Sequence, residues 1–97
     1  MRIRIVQSGG FAGLRRERIV ETDRLPGGLR EALEGLIESA TFFSLPARLA
    51  TGLPDVIQYR VRVEKAARIH EVTFDDESAT EAMRTLVERV FETAHGK

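Results

Sequence analysis

From Val56 to Glu64 the chain alternates without a break. Ile57, Tyr59, Val61 and Val63 fall on one side, and Gln58, Arg60, Arg62 and Glu64 on the other. Successive side chains of a β-strand point to opposite faces, so this is a strand with one face in a core and one in water. Residues 1–7 repeat the pattern, with Ile3 and Ile5 opposed to Arg2 and Arg4. A sheet packed on one face only explains why arginine alternates with hydrophobe. Leu14 to Thr22 reads as a further strand, where the adjacent Ile19 and Val20 predict a bulge or partial burial on both faces. Lys65-Ala66-Ala67 can turn the chain into Arg68 to Phe74, with Val72 and Phe74 on one face.

Two segments change period. Pro26 is placed as a first helical residue, and Leu29, Leu33, Leu36, Ile37 and Ala40 then form one helical stripe. Glu31, Glu34 and Glu38 take the opposite side, and the helix is expected to end near Thr41. Phe42-Phe43-Ser44-Leu45-Pro46 leads into a connection containing Gly52 and Pro54. Ser78-Ala79-Thr80-Glu81 has the form of a capping box. It opens a helix with the stripe Ala79, Ala82, Met83, Leu86, Val87, Val90 and Phe91. The order β-β-α-β-β-α predicts one α+β domain over residues 1–97, a four-stranded antiparallel sheet with two helices on one face. If the elements alternate in direction, residues 8–13, 41–55 and 75–78 gather at one end.

Composition narrows the function classes. The 97 residues are 42% hydrophobic and 31% charged, without repeats or low-complexity segments, which is globular. The formal net charge is zero, which disfavours nucleic acid as a partner, although 13 of the 15 basic residues are arginine. No cysteine is present, so disulfides and thiolate chemistry are excluded. The N-terminal segment alternates charge with hydrophobe, and no run approaches the roughly 18 apolar residues of a membrane span. A cytoplasmic location, no membrane association and a monomeric free state are expected.

Catalysis finds little to work with. His70 shares strand parity with Val72 and Phe74, His95 lies at the C-terminal end, and no zinc-binding spacing occurs. No Gly-x-Ser-x-Gly elbow is present. Asp75, Asp76 and Glu77 precede a helix, where carboxylates satisfy its dipole and free N–H groups. Asp75 and Asp76 are also candidate contacts for a basic partner or an ion. No catalytic residue, cofactor or resident metal is expected.

Ser8-Gly9-Gly10-Phe11-Ala12-Gly13, between the first two strands, is the candidate binding element. Its glycines suit a hairpin loop but match neither Gly-x-Gly-x-x-Gly nor the P-loop. A strand follows it, so no helix N-terminus receives an anion. Phe11 is the unusual member. A phenylalanine at a loop tip forgoes about 2 kcal/mol of burial unless it folds back or enters a pocket on another molecule. The alternative interaction surface is the open sheet face, where Arg2, Arg4, Arg60 and Arg62, with Arg16 and Arg18, could meet an anionic partner or nucleic acid. That face lacks the aromatic side chains on which bases stack.

The sequence resembles the emfourin family of protein inhibitors of thermolysin-like (M4) metallopeptidases such as protealysin. The resemblance rests on Met1-Arg2-Ile3-Arg4, the Ser8–Gly13 loop, Asp23 with Leu25-Pro26, Phe42-Phe43, Leu45-Pro46, and Gln58-Tyr59 with Val61. It covers nearly the whole chain in order, and the loop is its most specific part. It implies a bacterial, cytoplasmic, non-enzymatic inhibitor whose partner is a thermolysin-like metallopeptidase. It also implies that Ser8, Gly9, Gly10, Phe11, Ala12 and Gly13 meet the enzyme.

Overall fold

The computed structural model describes residues 1–10, 13–53 and 55–94. Strands β1 (Arg2–Gly9) and β2 (Leu14–Glu21) are followed by a 3-10 turn, Thr22–Arg24, and helix α1 (Gly27–Ser39). A second 3-10 turn, Phe42–Ser44, precedes β3 (Ile57–Lys65), β4 (Arg68–Asp75) and helix α2 (Glu81–Ala94). The strands form one antiparallel sheet in the order β2-β1-β3-β4. This is the α+β arrangement that the two periodicities predict.

One apolar cluster lies between sheet and helices. Ile3, Ile5, Val20, Val61, Val63, Val72 and Phe74 come from the strands. Leu33 and Ile37 come from α1, and Met83, Leu86, Val87 and Val90 from α2. A single cluster shared by both helices places them on the same sheet face. Pairing of β1 with β2 runs in one register from Arg2↔Glu21 to Gly9↔Leu14, so the bulge expected near Ile19 does not form. Val20 is buried and Ile19 is half exposed on the other face, as strict alternation requires.

The helix ends depart from expectation in small, explicable ways. Pro26 caps α1 rather than opening it: its ψ of 150° is extended, and its carbonyl accepts the Arg30 N–H at 2.9 Å. Leu29 lies in the first turn and stays exposed, so the buried stripe begins at Leu33. At α2 the capping hydroxyl belongs to Thr80, which accepts the Met83 N–H at 3.2 Å. Ser78 does not cap α2, because its hydroxyl is taken up by Asp75.

The segment after α1 decides where the loops lie. Phe42 is buried and packs edge-on against His70, with ring centroids 5.5 Å apart. His70 Nε2–H donates to the Leu45 carbonyl at 2.7 Å. Thr73 then donates to Ala47 at 2.8 Å and accepts from Leu49 at 2.7 Å, forming a one-bridge parallel pairing at Arg48. Residues 45–51 are thus a strap along β4 that carries the chain from His70 to Asp75. The expected gathering of three connections holds only in part. Residues 41–45 sit at the end of Met1, Lys65 and Arg68, while Thr51 and Ile57 lie at the opposite end, that of the hairpin.

Candidate functional site

The candidate site is the sheet end where β1 turns into β2. Gly9, Gly10 and Gly13 have φ of 89°, 78° and 65°, values that side chains other than glycine rarely adopt. The Gly13 N–H donates to the Gly10 carbonyl at 3.3 Å, closing the chain across Phe11 and Ala12. Those two members of the expected binding loop lie outside the described residues. Ser8 pairs with Arg15 on one side and Gln58 on the other. Gly9 and Gly10 are small for a second reason. A Cβ on Gly9 would lie 3.1 Å from the Val56 carbonyl oxygen, and one on Gly10 would lie 3.2 Å from the Ile57 side chain.

The acidic loop adjoins this hairpin. Asp76 donates its N–H to the Ile57 carbonyl at 3.1 Å, so Gly10, Ile57 and Asp76 occupy one end of the sheet. Arg84 donates to the Asp76 carbonyl at 2.7 Å. Tyr59, stacked on Phe74 at 5.3 Å, has its phenol pushed above the usual tyrosine range, first by burial and further by the Asp76 charge. Asp76 is half-buried, and with Tyr59, Phe74, Arg84 and Glu88 it borders a cleft of about 150 Å³.

Asp75 has a different role from Asp76. It is completely buried, and its carboxylate is used within the domain. One oxygen accepts the Thr51 N–H and the Thr51 hydroxyl, both at 2.6 Å. The other accepts from the Glu77 and Ser78 N–H groups and from the Ser78 hydroxyl, at 2.9–3.0 Å. The Thr51 hydroxyl is the main reason that the carboxyl is held at about 2, against the opposing effect of burial. Asp75 therefore fastens the strap and the acidic loop to the sheet end. It presents no free carboxylate to a partner, and it is not the helix cap that its position before α2 suggested.

On the open face, the expected arginine row is largely paired. Arg2 meets Glu21 at 2.6 Å, Arg4 meets Glu17, and Arg62 meets Glu64 at 3.2 Å and Glu71 at 3.8 Å. Arg60 reaches Glu71 at 3.6 Å. These cross-strand and neighbouring carboxylates were present in the sequence, but only the register shows which arginines they meet. Arg16 and Arg18 do not belong to this face. Both stack on Phe91 of α2, at 4.6 and 5.3 Å.

No group of three or more potential metal ligands occurs among the described residues. His70 is tied to Leu45 and packed on Phe42, a structural placement, and His95 lies outside the described residues. Among the described residues no helix is long and apolar enough to cross a membrane.

Residues 5–90 match the family model described as Emfourin. The chain belongs to the emfourin family. Neither the curated proteins nor the solved structures gave a match. Emfourin is an inhibitor family, so membership implies a protease partner in general and is consistent with a non-enzymatic role. The matched span includes both the Ser8–Gly13 hairpin and the strap that brings Thr51 to Asp75.

Proposed function

We propose that this emfourin inhibits a thermolysin-like (M4) metallopeptidase by inserting the Ser8–Gly13 hairpin into its catalytic cleft. Family membership carries the inhibitor reading, and the geometry of the hairpin base supports its mode. β1 and β2 hold the loop at Gly9↔Leu14, with β3 paired to the same glycine at Ile57. A hairpin base anchored on three strands has already lost its conformational entropy before binding, which favours affinity. Glycines at positions 9 and 10 keep the approach narrow, and the dipeptide Gly10-Phe11 offers a bulky apolar residue of the kind that thermolysin-like enzymes accept just after a scissile bond. Asp76, at the same end, is a secondary contact in this reading.

The paired charges of the open face weigh against an anionic or nucleic-acid partner spread over Arg2, Arg4 and Arg62, since phosphates would have to displace Glu17, Glu21, Glu64 and Glu71. The deciding experiment is titration of a thermolysin-like peptidase with the purified protein, using a peptide substrate. Saturable, stoichiometric loss of activity is expected. Full activity at a large molar excess over several such enzymes would overturn the proposal.

A further inference from the structure

Overall neutrality conceals an uneven charge distribution on the open sheet face. Strand register divides that face into four cross-strand rows. The two rows far from the hairpin contain Arg2, Arg4 and Arg62 with Glu21, Glu64 and Glu71, three cations against three carboxylates. The two rows nearest the hairpin contain Arg15 and Arg60, and the strap adds Arg48 through its bridge to Thr73. The surface carboxylate within these rows is Glu17, which lies closer to Arg4 than to Arg15, 4.0 Å away, while Arg60 reaches over to Glu71 of the next row at 3.6 Å. Asp75, in the row of Ser8 and Gln58, is buried and bonded to Thr51 and Ser78. Arg48 has no ion-pair partner among the described residues. The unbalanced positive charge therefore collects beneath the hairpin.

That charge surrounds a concavity. Arg15, Arg48 and Arg60 line a cavity of about 210 Å³ together with Ser8, Gln58 and Thr73. Val6 also lines it and is only 4% exposed, although it belongs to the open face. The walls thus supply three guanidinium forks, two hydroxyls and an amide. A guanidinium matches a carboxylate in shape and can bind it through two parallel N–H donors. The volume admits a carboxylate with several waters, each needing about 30 Å³.

We propose that this cup is a carboxylate-binding subsite. A partner's Asp or Glu side chain and a free small carboxylate share that chemistry. Ser8 both lines the cup and begins the candidate binding loop, so an enzyme gripping the hairpin would lie over the cup. Only the protein source of the carboxylate rests on the inhibitor reading; the site itself does not.

The test uses the arginine Nε–H resonances of the whole protein, titrated with glutarate at low ionic strength. Arg15, Arg48 and Arg60 should shift saturably in the millimolar range, while Arg2 and Arg4 stay still. Arg48→Gln should weaken glutarate at least tenfold, and Arg15→Gln provides a second exposed variant if the first alters the strap. Linear shifts of all arginines alike, or wild-type titration by both variants, would overturn the proposal. Inhibition assays separate the sources. About tenfold weaker inhibition by Arg48→Gln, fading at high salt, assigns the carboxylate to the enzyme. Wild-type inhibition alongside lost glutarate binding assigns it to a small molecule. If the wild-type protein inhibits no thermolysin-like peptidase, the inhibitor reading fails while the glutarate titration still decides the cup.

Discussion

Thr51 donates both its backbone N–H and its hydroxyl to one oxygen of Asp75, each at 2.6 Å. This pair fixes the far end of the strap to the end of β4, and the second oxygen of the same carboxylate holds the Ser78 turn that leads to the helix cap Thr80. It makes a buried carboxylate the junction between β4, the strap and the acidic loop.

Acid stability should report that junction. The Asp75 carboxyl is held at about 2 in the folded protein, below the ordinary aspartate value of about 3.9. A depressed folded value means that stability is fully present above the unfolded value and is lost as pH falls toward the folded one. The melting temperatures of wild type and Asp75→Asn should therefore differ by a constant amount above about pH 5 and converge between about pH 4 and 2. Thr51→Val removes the largest stabilising influence on the carboxylate, so carboxyl NMR should show Asp75 titrating at higher pH. A pH-independent gap between wild type and Asp75→Asn would contradict this account.

The hairpin glycines separate two physical effects. At Gly13 a Cβ would meet nothing within 4 Å among the described residues, so the cost expected for Gly13→Ala is that of its φ of 65°. Gly9→Ala adds contact with the Val56 carbonyl oxygen at 3.1 Å. Left-handed backbone costs a non-glycine residue roughly 1–2 kcal/mol. Urea unfolding should show about that loss for Gly13→Ala and a larger one for Gly9→Ala. Equal losses would mean that β1 and β3 adjust freely around Gly9.

Folding should not depend on a metal. Both helices bury apolar stripes against the sheet, and His70 spends its Nε2–H on Leu45. Circular dichroism melts with and without a chelator are expected to coincide. A large loss of structure on chelation would show that these packing contacts do not suffice.

What was legible in the sequence is what periodicity encodes. Ile57, Tyr59, Val61 and Val63 announce a strand because water covers only one sheet face, and Leu33, Leu36 and Ile37 announce a helix by the same logic at another period. The strap was not legible, because Ala47, Arg48 and Leu49 pair with Thr73 through backbone groups that leave no trace in side-chain pattern. For the same reason Asp75 resembled a surface acid: its burial comes from Thr51, which reaches it only because the strap runs along β4. The arginine cup needed both facts, since Arg15, Arg60 and Arg48 belong to two strands and that strap. The glycine loop, by contrast, was visible at once from its composition, and its base proves to need glycine for both φ and space.

Phe11→Ala tests the proposed mode of inhibition most directly. If the side chain enters a pocket of the enzyme, truncation removes about 2–3 kcal/mol of apolar burial from the complex alone. Inhibition should then weaken by about 30- to 150-fold, at tenfold for each 1.4 kcal/mol. In that case the free domain should melt at nearly its original temperature, because a side chain that is buried only in the complex contributes little to its own core. A phenylalanine packed on its own domain behaves in the opposite way, with truncation costing about 3–5 kcal/mol of stability. Both measurements belong on one variant: the inhibition constant against a thermolysin-like peptidase, and the melting temperature of the protein alone. Unchanged inhibition with a lowered melting temperature would remove Phe11 from the interface and return it to the core.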